Sequence, residues 1–182
     1  FQVSTSYGIT QRPLEGLAYK QNMASLRLQG NFGEDKHQLG LNVVHIMDKT
    51  KSITATPFSP AVMGAIISLD LQSKFSKYLS GSMEFANSAF AGNINASGIS
   101  TEHSAAALLI PNKHGARSGF AAEASLKYKK KNWSMKISGE WQDKDYMKLG
   151  YPLYDNDRVD AKISPHFNLA DNKVFVKTSF GV

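Results

Sequence analysis

The residues with chemistry to offer are few. Five histidines, His37, His45, His103, His114 and His166, could ligate a metal or move a proton, but none stands at metal-ligand spacing from another. Glu102, His103 and Ser104 supply the three side-chain types of a hydrolytic triad, yet such triads converge from separate elements rather than from adjacent positions. Asp143 with Asp145, and Asp155 with Asp157 and Asp160, could offer carboxylate oxygens to calcium. They lack the glycine and terminal glutamate of a calcium loop. No glycine-rich phosphate loop, G-x-S-x-G elbow or H-E-x-x-H motif occurs. Cysteine is absent, which removes thiolate nucleophiles, cysteine-ligated zinc and disulfides. The expectation is a protein without enzymatic activity, with no catalytic residue, metal ligand or cofactor to assign.

A net charge of +6 raises the question of nucleic acid or anionic lipid. The lysines are scattered apart from Lys129, Lys130 and Lys131, which read as a solvated turn, so no nucleic-acid partner is expected. No run approaches the roughly 20 apolar residues of a membrane-spanning helix. Phe1 opens the chain without a basic and apolar leader, which reads as a mature or excised chain.

The elements that carry the charged residues are more informative. From Trp133 to Trp141, Trp133, Met135, Ile137, Gly139 and Trp141 alternate with Ser134, Lys136, Ser138 and Glu140, which is a strand with one apolar face. Similar alternation runs from Met63 to Phe75, broken by Ile66, from Phe120 to Tyr128 and from Met23 to Phe32. Weaker copies span Val3 to Ile9, Leu39 to Met47, Leu79 to Ala91, Val159 to Leu169 and Val174 to Phe180, for about nine strands. Val43 and Val44 shift the phase of one strand and Pro165 removes a donor from another, and a bulge would explain either.

Connections between these strands alternate long and short. The long ones lie around Pro13 to Lys20, Lys49 to Pro60, Gly92 to Arg117 and Asp143 to Arg158. The short ones fall at Gly33 to Lys36, near Ser76, at Lys130 to Asn132 and at Ala170 to Asn172. Outer-membrane barrels combine short periplasmic turns with longer external loops in this way. Within the longest loop, Ser104 to Ile110 is apolar and could fold inward, form a short helix or pack on its neighbours.

Trp133 and Trp141, and likewise Phe120 and Tyr128, stand eight residues apart on apolar faces. At about 3.3 Å per residue and a 45° tilt, that is roughly 19 Å along a membrane normal, the separation of two interfacial aromatic belts. The opposite faces carry Arg27, Asp70, Lys74, Glu84, Glu123, Lys127, Lys136, Glu140, Asp160 and Lys162. Charges of both signs near mid-strand suit a wet lumen better than a dry core. In a soluble barrel they would face bulk water.

The predicted fold is therefore an all-β, antiparallel, up-and-down transmembrane barrel over residues 1–182. An odd strand count, and an ending Ser179-Phe180-Gly181-Val182 without a terminal aromatic, predict part of a larger barrel. A complete eight-stranded barrel is the alternative if Val3 to Ile9 or Leu79 to Ala91 is not a strand.

Two segments carry a resemblance. Tyr7 to Gly16, with Tyr19 to Met23 after it, and Asp145 to Tyr151, with Asp155, Asn156 and Asp157, resemble the large outer-membrane β-barrel proteins of Bacteroidota. With the strand Ile163 to Leu169 that follows, these segments make up under a fifth of the chain. The resemblance implies a surface barrel of secretion, gliding or nutrient uptake, and brings no catalytic residue.

The functional expectation is a non-enzymatic channel, transport or secretion component of a bacterial outer membrane, with Arg27, Lys74, Glu123 and Lys136 shaping solute passage. Its partners would be outer-membrane lipid and lipopolysaccharide, together with the remaining strands of the same barrel or partner membrane proteins. The alternatives are a soluble lipocalin-like barrel whose apolar faces enclose a hydrophobic ligand, and an outer-membrane lipid-modifying enzyme.

Overall fold

A computed structural model describes residues 1–54, 60–95, 104–110, 115–148, 157–169 and 174–181, with backbone alone at 168–169 and 174–177. The alternating segments become β1 (Gln2–Gln11), β2 (Gln21–Phe32), β3 (His37–Asp48), β4 (Met63–Lys74), β5 (Leu79–Ala91), β6 (Ala116–Lys129), β7 (Trp133–Gln142), β8 (Arg158–Leu169), β9 (Val174–Lys177) and β10 (Phe180–Gly181). Each strand pairs antiparallel with the next from β1 to β8, and β9 and β10 both pair with β8. The sheet is not closed, since β1 and the β9–β10 segment occupy its two edges. The two weakest candidate strands, β1 and β5, are both present, so the eight-strand count gives way to nine strand positions.

β9 and β10 are one strand with a gap. His166 opposes Lys177 and Ile163 opposes Phe180, so the register is kept across the gap. Thr178 donates its N–H to the Pro165 carbonyl at 3.3 Å, and proline has no N–H to return. Pairing lapses there without a bulge. Val43 and Val44 are not bulged either, because β3 stays in continuous register with both β2 and β4. Val44 instead stands opposite Ile66, so the two residues that break the alternation meet on adjacent strands. The register does shift between Ile9 and Gln11 in β1.

Because the chain simply runs up and down, every long connection leaves from one end of the sheet and every short turn from the other. Packing is equally polarised. Near the long-loop end, Tyr19, Ile53 and Ala61 form one buried cluster. Met63, Ala65, Ala89 and Ala91 form another with Ala106, Ala107 and Ile110. The segment Ala106–Leu109 is a single turn of 3-10 helix, held by the Ala106 N–H on Asn87 Oδ1 at 2.8 Å and the Ala107 N–H on Ser104 Oγ at 3.2 Å. It lies on the apolar face of β4 and β5, so of the three courses open to Ser104–Ile110 the segment takes a short helical turn packed on its neighbours and not the inward fold over the polar face.

Toward the short turns the sheet is a single layer among the described residues. Its apolar side chains stay open, with Leu69 51% exposed, Met83 55% and Ile163 47%. The accessible surface of 12087 Å² compares with about 8,700 Å² for an ordinary folded monomer of this mass. Covering each such side chain would contribute on the order of 1–2 kcal/mol. Among the described residues, no buried hydrophobic cluster covers this half of the apolar face.

Candidate functional site

Cross-strand partners share a face, so the register places every charged residue that the alternation singled out. Asp70 opposes Glu84, Glu84 opposes Glu123, Glu123 opposes Glu140 and Glu140 opposes Asp160. These five carboxylates form one transverse row over five adjacent strands. One row toward the long loops, Arg27 aligns with Asn42, Ser68, Ala86, Ala121, Gln142 and Arg158. One row toward the short turns, Lys162 opposes Ser138, and beyond it Lys127 opposes Lys136 while Lys74 opposes Ser80. All ten residues, Arg27, Asp70, Lys74, Glu84, Glu123, Lys127, Lys136, Glu140, Asp160 and Lys162, lie on a single face.

Two ion-pair systems organise that face. The Arg27 guanidinium grips Asp70 with two bonds of 3.0 Å, and Asn42 donates to the same carboxylate at 3.0 Å and to Ser68 Oγ at 3.1 Å. The second is centred on Glu140, which receives Arg158 at 3.1 Å, Lys148 at 3.4 Å and the Gln142 amide, while Arg158 also reaches Asp160 at 3.0 Å. Glu84 and Glu123 have no ion pair among the described residues, and neither do Lys127 and Lys136, so these two opposed pairs carry like charges face to face.

The loop after β7 lies across the same face. Met147 N–H donates to Ser88 Oγ at 2.9 Å, Asp143 N–H to the Phe120 carbonyl at 2.9 Å, and Asp145 stands 3.8 Å from Arg117. Tyr146 is buried beneath this arch, and burial pushes its phenol above the usual tyrosine range, with the Glu84 and Glu140 carboxylates adding to the effect. Gly119 permits the approach, because a Cβ there would stand 2.1 Å from the Tyr146 nitrogen. Gly40 does the same for the Arg27–Asp70 bridge, since its Cβ would meet Asp70 Oδ2 at 2.2 Å. Asn42, Gly40, Gly119, Lys148 and Arg158 escaped the sequence reading. Glycine inside an otherwise regular strand was the available signal for two of them.

The four singled-out aromatics share the opposite face. Tyr128 and Trp133 pack at 5.0 Å between ring centroids, with Tyr78 at 6.3 Å from Tyr128, beside the short turns. Phe120 stacks on Phe85 at 5.7 Å, and Trp141 stands between Ala122 and Val159 nearer the long loops. Between the two groups runs an apolar groove of about 680 Å³ reaching from Leu39 on β3 to Val159 on β8.

Of the chemistry-bearing clusters, Glu102, His103, His114 and Asp155 lie outside the described residues. Ser104 Oγ accepts from Ser118 Oγ at 2.7 Å and from the Ala107 N–H at 3.2 Å, which commits it to holding the 3-10 turn. Among the described residues, no three His, Asp or Glu side chains gather to hold a metal ion.

The fold and its two faces define an all-β, up-and-down antiparallel sheet protein with one polar and one apolar face. No family model, no curated protein and no solved structure matches this chain.

Proposed function

We propose that this sheet is a nine-strand run of the wall of a bacterial outer-membrane β-barrel, a non-enzymatic channel, transport or secretion component whose polar face lines the lumen. One observation carries the reading: a continuous register puts ten charged residues on one face and leaves the large apolar side chains of the other exposed. β1 to β8 are 10 to 14 residues long, enough for strands that need about 9–11 residues to cross hydrocarbon. The coreless half of the sheet extends between the two aromatic groups, and the buried clusters begin beyond the second, as a membrane band under an external cap requires. Open edges cannot stand in hydrocarbon. In this reading β1 and the β9–β10 strand pair with further strands of the same barrel or with a partner membrane protein. The resemblance to outer-membrane barrels of Bacteroidota points the same way.

The absence of cysteine makes the test clean. Single cysteines replacing Leu69, Met83 or Ile137 should, in reconstituted vesicles, carry nitroxide labels that are relaxed by oxygen dissolved in lipid. Labels at Glu84, Glu123 or Ser138 should be relaxed by a water-soluble nickel chelate. The opposite assignment would end the proposal. A second reading, a soluble barrel with its apolar faces turned inward on a hydrophobic ligand, is favoured by the apolar groove spanning β3 to β8. It requires extraction without detergent and protection of the first three labels from both reagents.

A further inference from the structure

The turns joining β4 to β5 and β6 to β7 carry charge of one sign. Residues 72–82 and 125–138 hold Lys74, Lys77, Lys127, Lys129, Lys130, Lys131 and Lys136 and no carboxylate. The two turns are tied together, since Lys129 N–H donates to the Tyr78 carbonyl at 2.7 Å. Lys77, Lys129, Lys130 and Lys131 are all exposed, and none makes an ion pair among the described residues. The other described short turn, with Glu34 and Asp35 beside Lys36, has no such excess.

A furrow of about 480 Å³ on the apolar face reaches this corner, lined by Phe75, Gly81, Met83, Leu126, Ile137 and Ala161. Its floor is low because Gly81 and Ala161 offer little side chain beside Met83, Leu126 and Ile137. Toward the turns, Tyr128 follows Leu126 and Trp133 precedes Ile137 on that same face, and their rings pack at 5.0 Å. Lys77 Nζ stands 4.8 Å from the centre of the Tyr78 ring. The order from mid-sheet to turn is thus an open apolar channel, amphipathic aromatic rings, then unpaired ammonium groups. A lipid with an acidic headgroup has the same order of chemistry along its length.

Building on the membrane reading, we propose that this corner binds an anionic glycerophospholipid. One acyl chain lies in the furrow between Phe75 and Ala161, the glycerol region packs on Tyr128 and Trp133, and the phosphate is met by Lys77 and Lys130 from the turns, while Lys129 at the end of β6 shares the polar face of Lys127. The lysine tripeptide is then a headgroup site rather than a merely solvated turn. The occupant is phospholipid rather than lipopolysaccharide because the short turns mark the inner, periplasmic side of the membrane in this orientation.

Trp133 reports on the site once Trp141 is changed to phenylalanine, since the chain has two tryptophans. The chain, joined to the further strands that close its barrel and with any tryptophan on those strands also changed to phenylalanine, is reconstituted in phosphatidylcholine vesicles containing a small, equal fraction of either brominated phosphatidylglycerol or brominated phosphatidylcholine. Quenching of Trp133 should indicate local enrichment of phosphatidylglycerol by about fivefold or more, the equivalent of a single lysine at an anionic surface. Replacing Lys77, Lys129, Lys130 and Lys131 together by glutamine should remove the excess while leaving quenching by brominated phosphatidylcholine unchanged, which shows that the variant is still inserted. Equal quenching by the two lipids overturns the site and leaves the membrane reading standing. No quenching by either lipid overturns both.

Discussion

Arg27 and Asp70 are joined across an intervening strand: two hydrogen bonds of 3.0 Å link β2 to β4 over the bare backbone of Gly40 on β3. A guanidinium and a carboxylate two strands apart meet only when nothing stands between them, so the glycine is part of the bridge. Asp70 is largely buried and Arg27 partly exposed, which makes the carboxylate the more sensitive partner. Asp70→Ala should destabilise the fold by roughly 1–3 kcal/mol in a denaturant titration, because Arg27 and Asn42 lose their acceptor. Gly40→Val should cost a similar amount, and the two changes together should cost less than their sum. Strict additivity would show that Gly40 acts independently of the bridge.

The arch over the polar face depends on Gly119. Gly119→Ala places a methyl group where the Tyr146 backbone now lies, and this neighbour is main chain rather than a flexible side-chain tip. Hydrogen exchange at the Met147 amide, now bonded to Ser88, should accelerate by an order of magnitude or more, while β5 and β6 keep their protection. Unchanged exchange at Met147 would mean that the arch is held elsewhere.

Alkaline pH should release the same arch. Burial, with Glu84 and Glu140 nearby, raises the Tyr146 phenol in the folded state, so the neutral ring favours docking. That contribution is fully present below the ordinary tyrosine value near 10 and is lost as pH rises through the higher folded value. Titration of phenolate absorbance should show a late phase among the seven tyrosines, and Tyr146→Phe should remove it. A titration without that phase would place Tyr146 in water.

Glu123 faces a carboxylate on either side, Glu84 on β5 and Glu140 on β7. Like charges directly opposed in a sheet are unfavourable, and opposite charges contribute about 0.2–1 kcal/mol per pair. Glu123→Lys should therefore stabilise the sheet by about 0.5–1 kcal/mol at low salt, with the gain shrinking as salt rises. If the polar face lines a conducting lumen, planar-bilayer recordings of the same variant should shift ion preference toward anions. A destabilised Glu123→Lys protein would mean that a cation already bridges these carboxylates.

Period-two alternation made the strands legible, because the pleat of an extended backbone sends successive side chains to opposite faces whatever surrounds them. Trp133 to Trp141 shows this over nine residues without reference to any other segment. The same local rule assigned ten charged residues to one face and four aromatics to the other, and loop lengths told which ends of the strands lie together. Apparent breaks misled only in their cause. Val44 and Ile66 needed no bulge because they face each other, a fact that belongs to the β3–β4 register and to neither strand alone.

What the sequence by itself determined is the all-β class, the strand phases and the polarity of each face. The tertiary structure decided which residues are neighbours: the five-carboxylate row, the Arg27–Asp70 bridge over Gly40, the arch on Gly119, and the meeting of two lysine-rich turns beside an apolar furrow. It also decided that Ala106–Leu109 packs on the apolar face and that the sheet stays open. Side-chain direction follows from the covalent geometry of a few consecutive residues. Cross-strand position depends on the length and conformation of every intervening turn, and on contacts between residues far apart in the chain, which no short window of sequence contains.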